Sequence, residues 1–292
     1  MNLYLGKVSH KVIGGKGKLG YCLQLELRKH FENESIRVLH SESLVDLLLT
    51  DKSERFRTNI IYWCAGFAKP ASTKEVCEKD LEALKLFLSG CSYFKQPCYL
   101  VFLSSGGTVY GNSPGEVNEM SPLNPQSFYA EMKIASEKLI QEATNRGILR
   151  AIVLRLANVY GHTSLRNPSG LVDSALHFGQ LKISSKLESR KQYGLNCDYS
   201  KNLVNLLDRF TDQSLYLETR NLFPPQTLSI VEIIRIVRAY SNQKLEIELL
   251  SSEKSLPLQS VVLSNHLSIK LYPEYWSSLV DYINDYDSRA DR

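Results

Sequence analysis

No apolar run in this chain approaches the ~20 residues that a membrane-spanning helix needs. Residues 1–10 also lack the shape of a secretory signal, so a cytoplasmic location is expected. Strong charge of one sign is missing too. The 35 Lys and Arg against 31 Asp and Glu leave a net charge of +4, too mild to imply nucleic acid and compatible with a phosphate-bearing substrate. The six cysteines (Cys22, Cys64, Cys77, Cys91, Cys98 and Cys197) contain no C-x-x-C spacing, and the six histidines no metal-ligand spacing. The cysteines therefore read as buried free thiols of a reducing compartment, and no metal is expected. Internal repeats and low-complexity tracts are absent as well. What is present is a 292-residue chain, long enough to bury a large core in one or two domains.

Near the N-terminus, Val12-Ile13-Gly14-Gly15-Lys16-Gly17-Lys18-Leu19-Gly20 reads as a strand end, a glycine-rich turn and the start of an amphipathic helix. Gly14, Gly17 and Gly20 keep G-x-x-G-x-x-G spacing. Such glycines permit a tight turn and let backbone N–H groups approach a pyrophosphate at the helix N-terminus. An ordinary glycine-rich loop is the plainer alternative; the position between strand and helix favours the dinucleotide.

Further along, residues 98–104 read as a buried strand running into Ser105-Gly106-Gly107-Thr108-Val109-Tyr110-Gly111. Tyr129 and Lys133 are four apart in a stretch of helical periodicity, so they project from one helix face. A free phenol titrates near pKa ~10 and is a poor base at neutral pH; an ammonium one turn away favours the phenolate. The pair suits proton exchange with a sugar hydroxyl or ketone. A second buried strand ends in Leu154-Arg155-Leu156-Ala157-Asn158-Val159-Tyr160-Gly161.

Glycine loop, S-S-x-x-T-V-Y-G, Y-x-x-x-K and L-R-x-x-N-V-Y-G, in this order, resemble the extended short-chain dehydrogenases. More narrowly they resemble the NAD-dependent epimerase/dehydratase family, which works on nucleotide sugars. The resemblance covers roughly residues 8 to 240.

Alternating strand and helix signals predict an α/β fold, a Rossmann-like doubly wound parallel sheet. Strands are expected at 11–14, 36–40, 59–64, 98–104 and 149–157, and helices at 19–31, 72–90 and 128–146. Only eighteen residues separate His40 from Asn59, and 44–49 within them looks helical. The third strand of the usual sheet is therefore expected to be missing. Residues 1–161 form the expected NAD(P)-binding domain. The resemblance implies that residues 162–292 form a small, discontinuous substrate-binding subdomain, some of whose elements return to the sheet. There a helix ending near Gly179, strands at 181–184, 215–223 and 245–250, and a closing helix at 275–286 are expected. Residues 185–200 read as polar and irregular. Ser229, with Glu232 three later, reads as a capping box opening a helix.

The resemblance implies reversible hydride transfer between a nicotinamide and a sugar carbon, usually C4. Tyr129 would move the hydroxyl proton, and Lys133 would hold the cofactor ribose and tune Tyr129. A Ser or Thr usually bridges sugar oxygen and tyrosine, but that position is Gly106 here. Ser105 and Thr108 flank it and are the candidate replacements, Ser105 favoured. Ser104 and Ser105 also read as groups that only satisfy the strand end. The Asp-Glu pair of the family's dehydratases is matched by Gly107 and Thr108, so elimination of water is disfavoured.

Gly14, Gly15, Lys16, Gly17, Lys18, Leu19 and Gly20 are the expected pyrophosphate loop, with Ala65, Gly66 and Ser104 as further cofactor contacts. The acidic residue that accepts the ribose of NAD is absent: twenty beyond Gly20 stand His40 and Ser41. Lys16 stands where NADP-preferring relatives carry a base, though it also reads as a solvated loop charge. The balance favours NADP over NAD. Asn158 matches a substrate-contacting residue, and Arg155 reads as structural. Asp80 stands where relatives carry an Asn that braces the active-site helix. Arg166, Arg190 and Lys191 are candidates for a diphosphate, and equally solvated loop charges.

The expected protein is a nucleotide-sugar 4-epimerase or 4-keto reductase serving polysaccharide synthesis. The helices at 72–90 and 128–146 resemble the pair that forms the dimer interface in this family, which implies a homodimer with Val76, Leu84, Phe87, Ile134, Leu139 and Ile140 at the interface. The alternatives are a degenerate, non-catalytic NAD(P) sensor and a reductase of small carbonyls.

Overall fold

The structure is a computed structural model. It describes residues 8–32, 36–39, 58–92, 98–113, 115–161, 170–183, 187–207, 216–242, 244–249, 261–266 and 276–290. In chain order the first elements are β1 (Val8–Ile13), α1 (Lys18–His30), β2 (Ile36–Leu39), β3 (Thr58–Trp63), α2 (Lys74–Cys91), β4 (Cys98–Ser105), α3 (Gly106–Val109), β5 (Gly115–Val117), α4 (Phe128–Asn145), β6 (Arg150–Leu156) and β7 (Asn158–Tyr160). There follow α5 (Leu171–Phe178), β8 (Gln180–Ile183), β9 (Arg190–Leu195), α6 (Asn196–Asn205), β10 (Leu217–Leu222), β11 (Thr227–Ser229), α7 (Ile230–Tyr240), β12 (Glu246–Leu249), β13 (Val261–Leu263) and α8 (Leu279–Ala290).

Six strands form one parallel sheet in the order β10-β6-β4-β3-β1-β2. This is the expected doubly wound α/β architecture. The central strands β3, β4 and β6 are buried almost throughout, the pattern of a parallel sheet covered on both faces. One face packs Val12, Tyr62, Val101 and Leu154 against Leu23 and Leu27 of α1 and Leu203 of α6. The other packs Ile13, Ile61, Leu100 and Val153 against Phe87 of α2 and Ile140 of α4. A third core, including Tyr160, Leu176, Ile233 and Ile283, holds the C-terminal elements together. Two buried polar side chains of β1 are paired across to β3: Lys11 donates to Asn59, and His10 Nδ1 lies 3.0 Å from the Tyr62 hydroxyl. Burial pushes the His10 imidazole down to about 4, so it is neutral at pH 7.

Several expectations change here. Residues 190–205 are a strand and a helix rather than irregular chain. The buried positions of β9 are Gln192 and Gly194, so no apolar alternation betrays it. Cys22 of α1 and Cys197 of α6 are joined by a disulfide across 175 residues of sequence, while Cys64, Cys77, Cys91 and Cys98 are free. Leu84, Phe87 and Ile140 are fully buried by their own sheet and need no second subunit. Val76, Ile134 and Leu139 are only partly buried. The capping box of α7 is present, with Ser229 and Glu232 each accepting the other's backbone N–H. The expectations at 40–57, a missing third strand and a helix at 44–49, fall outside the described residues. Among the described residues no helix is long and apolar enough to cross a membrane.

Candidate active site

The chain leaves β1 for β2 on one side and returns to β3 on the other, so the strand order reverses beside β1. In such sheets ligands bind beyond the carboxyl ends of the strands at that reversal. Ile13, Trp63, Phe102 and Val153 are in register across β1, β3, β4 and β6, so the glycine loop, the β3 exit and the end of β4 lie at one level.

The glycine loop is dictated by close backbone approach. Gly14 has φ +86°, and a Cβ there would stand 2.7 Å from the Ala65 backbone. A Cβ on Gly20 would stand 2.4 Å from the Gly14 carbonyl oxygen. Gly17 donates to that carbonyl at 2.9 Å and serves as the N-cap of α1 without a side chain. Side-chain-free backbone at the positive end of a 13-residue helix fits a pyrophosphate. Gly15 is buried against Val38, Leu19 is half-buried, and Lys16 is exposed. Ala65 packs on Gly14, and Gly66 leads into a turn whose Phe67 and Ala68 N–H groups donate to Asp80 at 3.1 and 2.8 Å. Asp80 thus braces the β3 exit from α2. His40, Ser41 and Arg166 lie outside the described residues.

Tyr129 and Lys133 lie on α4, which opens at Ser127, whose hydroxyl accepts from Ala130 N–H. Lys133 Nζ donates to Leu103 O at 2.9 Å and lies 5.6 Å from the Tyr129 ring centre and 5.0 Å from that of Phe102. The ammonium is thereby fixed between the phenol and the end of β4. Both residues are half-buried, and the Tyr129 hydroxyl bonds no described residue. Ser104, Glu137, Arg155 and Tyr110 form a buried network beneath them. Ser104 Oγ donates to Glu137 at 2.5 Å, Arg155 pairs with Glu137 at 2.7 Å and donates to the Tyr110 hydroxyl at 2.9 Å. The Ser104 hydroxyl is therefore engaged by Glu137 of α4. The Ser105 hydroxyl bonds no described residue, while Thr108 Oγ1 donates back to Ser105 O at 3.4 Å.

On the other wall, Asn158 Nδ2 donates to Gln192 O at 3.0 Å, and a Cβ on Gly107 would stand 3.9 Å from Asn158 Oδ1. Arg190 is tied to Glu232 at 3.0 Å and to Thr227 O at 3.0 Å. Its neighbour Lys191 projects from the opposite face of β9, together with Tyr193, the register partner of Asn158. Neither the Lys191 ammonium nor the Tyr193 hydroxyl bonds a side chain or backbone group among the described residues. Burial pushes the Lys191 ammonium below the usual lysine range and the Tyr193 phenol up to about 12. Tyr193 had no signal in the sequence beyond its place two residues after Lys191. A groove of about 400 Å³, lined by Gly170, Leu171, Ser174, Phe178 and Leu181 among others, runs along α5 and β8.

The model of the NAD dependent epimerase/dehydratase family matches residues 12–214. An uncharacterised UDP-glucose epimerase of Bacillus subtilis (strain 168), YtcB, is 23% identical over 167 residues, 56% of this chain. The match spans about half (51%) of that relative's length. Among solved structures, a UDP-glucose 4-epimerase from Brucella ovis in complex with NAD superposes with a TM-score of 0.81 at 14% identity, over 97% of this chain and 98% of that one. A UDP-glucose 4-epimerase from Thermus thermophilus, also with NAD, gives 0.71 at 20% identity over 88% and 90%. These likenesses establish a shared fold.

Proposed function

The chain belongs to the NAD dependent epimerase/dehydratase family, and from that membership we propose that it is a nicotinamide-dependent nucleotide-sugar enzyme, a 4-epimerase or a 4-keto reductase. The observation that carries this reading is the Tyr129–Lys133 pair, with its ammonium held at Leu103 O and its phenol open, level with the glycine loop. Tyr129 exchanges a proton with the sugar hydroxyl as hydride leaves or joins the same carbon. Lys133 keeps a positive charge beside the phenol and holds the cofactor ribose. A bound dinucleotide supplies the hydride acceptor and donor. Residues 14–20 hold its pyrophosphate, with Ala65 and Gly66 beside them. Gly107 and Thr108, where a dehydratase needs an acid pair, leave elimination without a proton carrier.

For the substrate, Asn158, Lys191 and Tyr193 offer an amide, a desolvated ammonium and a phenol on one side of the cleft. A half-buried ammonium lacking a described partner suits a diphosphate. Arg190 is the weaker choice because Glu232 and Thr227 already engage it. The groove beside α5 suits a flat base. NADP is preferred over NAD through Lys16, and the homodimer forms through α2 and α4. A cytoplasmic role in polysaccharide synthesis completes the reading.

A second reading, a dinucleotide-binding sensor without turnover, draws on Gly106, where the usual hydroxyl is missing. One experiment separates the two. The purified protein is denatured, any released cofactor identified, and the native protein incubated with UDP-, GDP- and dTDP-sugars. Inversion or reduction at C4 supports the enzyme; bound dinucleotide with no sugar converted supports the sensor.

A further inference from the structure

Lys18 is the first residue of α1, immediately after Gly17. A lysine there is electrostatically disfavoured, because the helix N-terminus already carries partial positive charge. The first turn of α1 contains no acidic residue to offset it. The compensating charge comes instead from 155 residues away. Lys18 Nζ pairs with Asp173 Oδ2 on α5 and donates to Val159 O at 3.3 Å.

Asp173 is only 4% exposed and is a junction of the C-terminal elements. Its Oδ1 accepts from Gly161 N–H at the end of β7 at 2.9 Å and from the Tyr282 hydroxyl of α8 at 3.3 Å. Its sequence neighbours on α5, Leu171 and Ser174, line the groove with Gly170. A second contact holds the same turn of α1: Asn196 Nδ2 of α6 donates to Lys18 O at 2.8 Å. The backbone of Lys18 thus belongs to the glycine loop, and its side chain to the wall of the groove.

We infer that Lys18 and Asp173 are a positioning pair through which the seat of the dinucleotide sets the placement of α5 and of the groove it lines. The inference rests on the reading that residues 14–20 hold a dinucleotide. A ligand that fixes the Lys18 backbone fixes the root of its side chain. The ammonium then holds Asp173, and Asp173 holds β7, α5 and α8 together. Breaking the pair leaves both ends folded and removes the link between them.

Hydrogen exchange on the full chain, with and without NAD or NADP, tests this. Wild type and Lys18→Arg should show exchange in 171–178 slowed about fivefold or more by the dinucleotide. In Asp173→Asn, which keeps an acceptor for Gly161 N–H, the dinucleotide should still bind, measured by equilibrium dialysis, while that slowing disappears. A merely structural role would alter exchange equally with and without cofactor. Lys18→Met, compared at saturating dinucleotide, gives the same test should Asp173→Asn fail to fold. Full dinucleotide-dependent slowing in both variants overturns the pair. So does wild-type binding that leaves 171–178 unchanged, although the dinucleotide reading then stands. Failure of wild type to bind either dinucleotide overturns both.

Discussion

A Cβ built on Gly106 would stand 2.5 Å from Leu263 Cδ1 and 3.1 Å from the Arg155 carbonyl oxygen. The space that a side chain at this position needs is therefore filled from the far end of the chain. Leu263 is held there firmly. β13 pairs with β5, and the Gln192 amide bonds both the N–H and the carbonyl of Leu263, at 2.8 and 3.0 Å. Gly106→Ser should lower stability by about 1–3 kcal/mol through overpacking. Leu263→Ala should cost about 2–5 kcal/mol by leaving a cavity. Combined, the two should cost clearly less than their sum, since each relieves the other. Urea unfolding of the three variants checks this, and strictly additive losses would count against the packing account.

Lys191→Met should raise KM for a nucleotide sugar at least tenfold while leaving kcat within about threefold, the sign of binding lost equally in ground and transition states. Arg190→Met should change KM far less, because Arg190 is bound to Glu232 and Thr227. Steady-state kinetics on the first sugar found to react would decide, and the reverse ranking would return the diphosphate to Arg190.

Lys16→Ala should weaken NADP by about tenfold or more and leave NAD within about twofold, since only NADP carries the extra phosphate that a lysine can meet. Fluorescence titration with both dinucleotides measures it. Equal losses would remove Lys16 from cofactor selection.

Much of this site is legible in the chain because its parts are local. Gly14, Gly17 and Gly20 lie within seven residues, and Tyr129 and Lys133 within one helical turn, so spacing alone places each set on one surface. The parallel sheet is legible for a similar reason: doubly buried strands such as β4 and β6 are apolar runs between helices. Long-range chemistry is not legible. Nothing near Lys18 announces Asp173, nor does Cys22 announce Cys197 or Gly106 announce Leu263. β9 escapes notice because its inward residues are Gln192 and Gly194, and the Gln192 amide finds its partner, Leu263, only 71 residues later. Arg190 and Lys191 look alike in sequence, and only strand alternation within the fold separates the engaged cation from the open one.

Burial raises the Asp173 carboxyl, and the Lys18 ammonium opposes that rise. A carboxyl raised on folding contributes stability that is complete below its unfolded pKa and declines as pH climbs through the folded one. Removing Lys18 withdraws the chief opposing charge, so the Asp173 carboxyl rises further. Lys18→Met should therefore lose more stability, relative to wild type, near neutral pH than near pH ~3, where an aspartate carboxyl is largely protonated in the unfolded chain. Denaturant midpoints at the two pH values test the sign. A difference independent of pH would mean that Asp173 does not rely on Lys18 for its charge.

The central claim is that Tyr129 moves the proton that accompanies hydride transfer. Tyr129→Phe removes the titrating oxygen and keeps the ring, so folding and dinucleotide binding should stay near wild type. Turnover of the nucleotide sugar should fall by about 10²–10⁴, the usual worth of a positioned acid–base group. Ser105→Ala and Thr108→Val, assayed beside it, identify the hydroxyl that stands in at Gly106, with the larger loss expected from Ser105→Ala. Turnover unchanged in Tyr129→Phe would contradict the account and leave a dinucleotide-binding protein whose Tyr129–Lys133 helix face does no chemistry.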